Sequence, residues 1–378
     1  MTKEGTATVK QHHCLVLKVG SSSLVSPEGE VQENFIRRIS QELHALRQSG
    51  WDVIIVSSGA IAMGRILYNK PTRKSLSQKQ ALSAIGQRYI VNLWQNAFDA
   101  FGILTSQILL TRDDFKSRKR MLNFRNVLTE LLSMGSIPII NENDALSSDE
   151  IRVGDNDTLG ALVAVAAGAT HYVIMSDIEG LYDKDPSRYS DGRIIPEVDS
   201  ITDEIRQMAG GSGSAVGTGG MITKLSSAEI VTRAGITMYI VSHSLQHLAQ
   251  RLEDQAGMGT RFKARKNISR HRHWIGFQSS PTGTLVIDDG AVKALQGHKS
   301  LLAVGIVEVS GLFKPGDTVE IRTQEGRLIA KGLSNLPSSQ INLIKGKQNA
   351  QHRNILQQEV HSSVVHANNM IILEETKP

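Results

Sequence analysis

Short apolar runs alternate with longer amphipathic stretches from Cys14 to about Ser242. CLVLKVG, DVIIVSSGA, GILTSQILL, SIPIINEND, HYVIMSD and MYIVS each read as a strand, mostly continuous in apolar character rather than apolar at every second position. Strands of that kind are covered on both faces, as in a parallel sheet between helices. Between them, Phe35 to Gln48 sets Ile36, Ile39, Leu43 and Leu46 at helical spacing and meets Gly50 as a stop. Gln78 to Ala100 and Arg125 to Met134 predict further helices. Asp157 to Ala167 is apolar almost all round, which predicts a buried one. The alternation predicts an α/β domain with a doubly wound, mostly parallel sheet sandwiched by helices.

After Gln278 the texture changes. TLVIDD, SLLAVGIVEVSG, DTVEIRT, GRLIAKG and NNMIIL are short, strand-like and separated by Gly and Asp turns. DTVEIRTQEGRLIA reads as a hairpin turning at Gln324–Gly326, and a short helix is expected at Gly290–Leu295. This predicts a small, mostly β domain, such as a barrel. The expected division is a polar extension 1–13, an α/β domain 14–260, a basic linker 261–279 and a β-rich domain 280–378. A length of 378 residues suits two domains at roughly 150 residues each.

Composition narrows the function classes. With 40% hydrophobic and 21% charged residues the chain is not a disordered one. Its 4% aromatic content is too low for a protein built on base-stacking platforms. The one cysteine, Cys14, excludes an intrachain disulfide framework and a Cys-based zinc site, and at the start of a buried strand it reads as core packing. A net charge of +5 and a pI near 9.2 invite a nucleic-acid reading. Yet residues 1–260 hold 26 Lys and Arg against 28 Asp and Glu, and residues 273–378 hold 10 against 9. The excess is the six basic residues of 261–272, a junction rather than a face whose charges are scattered over several elements. No apolar run approaches the roughly 20 residues of a membrane span, and the N-terminus lacks the apolar core of a secretory signal. A cytosolic enzyme or binding protein is expected. His12 and His13 in the tail and His271 and His273 in the junction read as solvated.

In an open α/β sheet, ligands bind at the carboxyl ends of the strands. Polar residues and glycines gather there: Lys18 to Ser22, Ser57 to Ala60, Asn141 to Asp144, Gly154 to Asp157, and Ser176-Asp177. The segment GGSGSAVGTGGMITK places six glycines between Gly210 and Gly220, followed by Lys224. Converging backbone N–H groups and a helix starting at Met221 would suit a phosphate, with Lys224 as a point charge, although neither Walker A nor the dinucleotide fingerprint is present. The bland alternative is a flexible surface loop. Lys18 interrupts an apolar strand and, alone, reads equally as an edge-strand lysine reaching solvent. Asp155 and Asp157 could cap a helix, but with Asp144 they exceed what one cap needs. Ser58 lacks a nucleophile elbow and reads as a hydroxyl that binds substrate. The set points to phosphoryl transfer by positioning and charge neutralisation. A carboxylate acceptor, already anionic, would need no general base, which agrees with the lack of a well-placed histidine in the first domain.

Five motifs, Lys18-Val-Gly-Ser-Ser, Val56-Ser-Ser-Gly-Ala-Ile-Ala-Met-Gly, Ile139-Ile-Asn-Glu-Asn-Asp, Val153-Gly-Asp-Asn-Asp and Gly217-Thr-Gly-Gly-Met-Ile-Thr-Lys224, resemble in order and spacing the amino-acid kinase family, and most closely its members that act on free glutamate. The tail, with TGTLVIDDGAVKAL and SLLAVGIVEVSGLFKPGD, resembles a PUA domain. The resemblance implies ATP with Mg²⁺, L-glutamate as acceptor, γ-glutamyl phosphate as product and a place at the head of proline biosynthesis in the cytoplasm. It also implies a homo-oligomer and inhibition by proline. By position, Lys18 and Lys224 would flank the transferring phosphoryl group, with Asp157 orienting both. Ser58, Asp144 and Asn156 would bind glutamate. Ser176, Asp177, Thr218, Gly219, Gly220, Met221, Ile222, Thr223 and Lys224 would line the nucleotide, and no residue is implied as a metal ligand. Ser176 stands where Thr is usual, and the extension before Cys14 is not part of the pattern. A kinase for acetylglutamate or aspartate, or an RNA-binding or RNA-modifying protein working through the PUA-like tail, are the alternatives. The near-neutral charge of that tail weakens the second, because nucleic-acid affinity comes largely from phosphate neutralisation.

Overall fold

The computed structural model describes residues 13–26, 28–71, 75–146, 155–186, 189–209, 218–255, 257–265, 281–348, 351, 355–356 and 363–373. The chain divides into two compact units, Met1–Asp114 with Lys119–Asn267, and Phe115–Arg118 with Ile268–Pro378.

The first unit carries strands β1 Cys14–Val19, β2 Asp52–Ser57, β3 Thr105–Leu110, β4 Ile137–Glu142, β5 His171–Ser176, β6 Glu197–Val198, β7 Thr237–Ser242 and β8 Thr260–Phe262. Its helices are α1 Ser21–Leu24, α2 Glu33–Gln48, α3 Ala60–Tyr68, α4 Leu76–Asp99, α5 Arg112–Lys116 and α6 Arg118–Ser133 (save Phe115, Lys116 and Arg118, which count with the second unit), α7 Asp155–Ala167, α8 Asp203–Met208, α9 Thr218–Arg233 and α10 Leu248–Asp254. The strands form one sheet in the order β3-β4-β2-β1-β5-β7-β8-β6, parallel except where β8 runs against β7. The doubly wound sheet read from the mostly continuous apolar runs is thus present. The six runs correspond to β1–β5 and β7, and the two short strands at the far edge have no apolar run to announce them.

Alternate residues of each strand serve opposite faces. Leu15, Leu17, Val19, Val53, Ile55, Ile137, Ile139, Val173 and Met175 join one core with α2, α4 and α10. The intervening positions, Lys18 among them, face the other way, where α7 packs along β1, β2, β4 and β5. The order of strands changes direction at β1: β2 lies on one side and β5 on the other, so the connections leaving their carboxyl ends diverge and open a crevice there.

Several expectations are corrected. Lys18 is on a central strand and buried, so the edge-strand reading fails. α9 starts at Thr218 rather than Met221, because its glycines accept helical dihedrals, and Lys224 therefore sits in the second turn. Arg261 and Phe262, placed at the start of the linker, are paired with β6 and β7. His13 is not solvated: it stacks on Trp51 with ring centroids 4.6 Å apart. His12, His271, His273 and residues 210–217 lie outside the described residues.

The second unit holds β9 Gly283–Ile287, α11 Asp289–Gln296, β10 Ile306–Gly311, β11 Thr318–Thr323, β12 Leu328–Ser334, α12 Ser338–Ile344 and β13 Val365–Ile372. Its sheet runs β10-β9-β11-β12-β13, with β9 and β11 parallel and the other neighbours antiparallel. Among the described residues β10 and β13 are its edges and no pairing closes it into a barrel. The hairpin turn falls where expected, with Gly326 at φ 84°. Two expectations fail. The first half of SLLAVGIVEVSG is a short 3-10 turn at Ala303–Gly305 rather than strand, and α12 has no counterpart in the sequence reading.

Candidate active site

β1 ends in Lys18-Val19 and turns through Gly20 into α1. Lys18 is 7% exposed, its Nζ 2.6 Å from Asp157 Oδ1. Asp157, in the first turn of α7, is fully buried. Its other oxygen, Oδ2, receives Lys224 Nζ from α9 at 2.9 Å. Three segments far apart in sequence thus meet at one carboxylate with two ammonium groups on it. A lone buried charge would be prohibitive, and a second lysine makes a net cation of the trio. Burial alone would raise the Asp157 carboxyl, but the two lysines outweigh it and hold it below the usual range. Burial pushes the Lys18 ammonium down, and Lys224 pushes the same way against the attraction of Asp157. Asp157 is therefore not a helix cap. It is a bridge that keeps two cations close together, with Asp177 adding a weaker attraction to Lys18.

The first turn of α7 is fixed from beneath. Tyr172 of β5 donates its hydroxyl to the Asp157 carbonyl at 2.7 Å, and Gly160 leaves room for it, since a Cβ there would lie 2.5 Å from the hydroxyl oxygen. On α9, Thr223 donates to the Gly220 carbonyl at 2.8 Å, and Lys224 is 3.5 Å from the same oxygen.

Next to the lysines lies a polar cluster at the ends of β2 and β4. Asn156 donates through Nδ2 to Ser58 Oγ at 2.8 Å and to Asn141 Oδ1 at 2.9 Å. Gly59, at φ 98°, makes the turn from β2 into α3 that presents Ser58. Asp144 accepts from Ser83 Oγ at 2.7 Å. Burial raises the Asp144 carboxyl above its ordinary value, and the Ser83 hydrogen bond offsets part of this. Ser58 and Asp144 lie just past the ends of β2 and β4 and Asn156 in the first turn of α7, and of these three, which the resemblance groups together, Asn156 and Ser58 are in direct contact.

On the β5 side, Ser176 donates to Asp177 Oδ1 at 2.8 Å. Its carbonyl accepts the His243 backbone N–H at 2.7 Å, and the His243 ring nitrogen Nδ1 is 3.1 Å away. Asn141 stood in the sequence only as part of the polar run at the end of β4, and His243, just after β7, was passed over together with Ser83, Gln87 and Trp94. The last three lie on one face of α4 and bond to Asp144, Asn141 and Ser57 respectively. A polar residue on an otherwise apolar helix face was the available signal. Thr218, Gly219, Gly220, Met221, Ile222 and Thr223 open α9 on the approach to Lys224. The rest of the glycine-rich segment, like Val153 and Gly154, is outside the described residues. Taken together, an electropositive pair stands beside a cluster of hydrogen-bond acceptors, an arrangement able to hold an anionic phosphoryl group near a small zwitterion.

Residues 13–242 match the amino acid kinase family and residues 283–356 match the PUA domain. The glutamate 5-kinase of Caldanaerobacter subterraneus subsp. tengcongensis is 41% identical over 365 residues, covering 95% of this chain and 98% of its own. That of Pasteurella multocida is 40% identical over 362 residues, with 95% and 98% covered. Among solved structures, the carbamate kinase from Giardia lamblia bound to AMP-PNP covers 67% of this chain and 99% of its own, with a TM-score of 0.49 and 17% identity.

Proposed function

The chain belongs to the amino acid kinase family and within it to the glutamate 5-kinases, and from that premise we propose how it phosphorylates the γ-carboxylate of L-glutamate with ATP, the first step of proline biosynthesis. The observation that carries the reading is the pair of lysines on opposite oxygens of one buried carboxylate. Lys18 and Lys224 neutralise the charge that spreads over the transferring phosphoryl group, and Asp157 holds their ammonium groups in place. The γ-carboxylate oxygen forms its bond to phosphorus as the bond to the β-phosphate oxygen breaks, and ADP leaves. No proton is abstracted, because the acceptor is already ionised. Ser58, Asp144 and Asn156 hold the amino acid, and Ser176, Asp177 and the start of α9 line the nucleotide.

Mg²⁺ belongs to the same reading. Among the described residues no group of three or more His, Cys, Asp or Glu forms a cage for a metal. A Mg²⁺ ion bound chiefly through substrate phosphates suits that chemistry. No helix of the described residues is long and apolar enough to cross a membrane, and the reading takes the enzyme to be a cytoplasmic homo-oligomer open to inhibition by proline. Contact with nucleic acid through the second unit plays no part in the transfer.

The test is hydroxamate formation with ATP, Mg²⁺ and hydroxylamine, offering glutamate, acetylglutamate or aspartate. Product with glutamate alone is expected, and equal product with all three would overturn the acceptor assignment. Lys224→Ala should lower turnover by at least about a hundredfold, the scale for losing one transition-state charge contact, with circular dichroism unchanged. Normal turnover would remove Lys224 from the mechanism.

A further inference from the structure

Resting on the assignment of Ser58, Asp144 and Asn156 to glutamate, we infer that Ser83 and Gln87 are positioning residues that aim this cluster at the substrate's α-ammonium group. One donor in the cluster has a fixed identity. The Glu142 backbone N–H can only donate, so the Asn141 atom 2.8 Å from it is Oδ1. The other Asn141 amide atom is then Nδ2, and it donates to Gln87 at 2.7 Å, which must present Oε1. Asn141 Oδ1 also accepts from Asn156 at 2.9 Å, so that Asn156 atom is Nδ2, and its second hydrogen goes to Ser58 Oγ. Both amide hydrogens of Asn156 are spent. Its Oδ1 is buried and has no hydrogen-bond partner among the described residues.

A buried acceptor with no donor is unfavourable until a donor arrives. Asp144 adds a negative charge to the same cluster. An amide oxygen and a carboxylate together call for a cationic donor, and the α-ammonium of an amino acid is one. Ser83 and Gln87 are four residues apart on α4, one turn along the same face, and 3% and 7% exposed. Ser83 orients the Asp144 carboxylate, and Gln87 secures the Asn141 amide that in turn orients Asn156. Neither touches the substrate. They act through the residues that do.

The test compares glutamate with glutarate, which keeps both carboxylates and lacks the ammonium group. Gln87→Met keeps the volume and loses the acceptor. It should raise KM for glutamate about tenfold, the scale of one hydrogen bond, with kcat and the KM for ATP within about twofold and the inhibition constant of glutarate unchanged. Asn156→Ala should raise the glutamate KM as well. If Asn156→Ala leaves that KM alone, the glutamate assignment itself is wrong. If Asn156→Ala raises it and Gln87→Met does not, the assignment stands and Gln87 has no positioning role. A Gln87→Met enzyme that loses affinity for glutarate and ATP equally would show a structural role and overturn the inference. Should that variant not fold, Gln87→Glu decides: it keeps an acceptor for Asn141, so a glutamate KM near the wild-type value is expected, and a tenfold rise refutes the proposal.

Discussion

At the scale of single residues, the site is governed by how burial and charge offset one another. Asp157 stays ionised despite full burial because two lysines share it, whereas Asp144, with a hydroxyl for a partner, is pushed upward. The difference has a measurable consequence. Asp144 must be ionised to attract an ammonium group, so glutamate affinity falls as pH drops through its pKa. Ser83 lowers that pKa, and Ser83→Ala therefore raises it. The acidic limb of kcat/KM for glutamate should move to higher pH in the variant, while the same limb for ATP stays put. A limb that does not move, or moves to lower pH, would show that Asp144 is not the group being titrated. The two kinds of residue were not equally readable. A lysine that interrupts an apolar strand is anomalous on its face, so Lys18 stood out in the sequence even though its role there was ambiguous. Gln87 and Ser83 bond to partners 54 and 61 positions away, and no local pattern marks such a pairing.

At the scale of elements, α4 acts as a ruler laid across the strand ends. Its buried face, with Ser83, Gly86, Gln87, Ile90 and Trp94, reaches Asp144, Asn141 and Ser57 in turn. Its distance from the sheet depends on its contact with α3, where a Cβ on Gly86 would lie 1.9 Å from the Ala60 carbonyl oxygen and 2.5 Å from the Gly64 nitrogen. Those atoms are backbone and cannot step aside alone. Gly86→Ala would gain up to about 1 kcal/mol of helix propensity, and forcing two helices apart should cost more, typically about 1–3 kcal/mol and here at the upper end. A lower urea midpoint is expected, together with a raised glutamate KM, because α3 starts two residues after Ser58. An unchanged midpoint would mean the helices separate freely. The long helices and the central strands were legible because their periodicities are strong. β6 and β8, of 2 and 3 residues, carry no period to detect, and the 3-10 turn at Ala303–Gly305 hides inside a run that is apolar enough to read as strand.

At the scale of the whole molecule, every residue assigned to catalysis or binding belongs to the first unit, and each unit has its own apolar core with no residue in common. The net charge, which first suggests nucleic acid, says little about this division. Within the described part of the junction, Lys263 pairs with Glu197 and Asp199, and Arg261 lies 3.7 Å from Glu197. Part of the basic excess is thus matched by local acids and is not free to form a binding face. Separate cores make a thermodynamic prediction. A ligand stabilises only what it binds, by about 2.7 kcal/mol at a hundred times its Kd. Glutamate with a non-hydrolysable ATP analogue should therefore raise one of two calorimetric transitions and leave the other in place. Ile341→Ala, which empties a fully buried position in the second core, should lower the transition that ligands do not move by about 2–5 kcal/mol. It should leave the KM for glutamate and ATP unchanged below that transition. If ligands and Ile341→Ala shift the same transition, the two cores unfold as one, and the second unit contributes to the stability of the catalytic one.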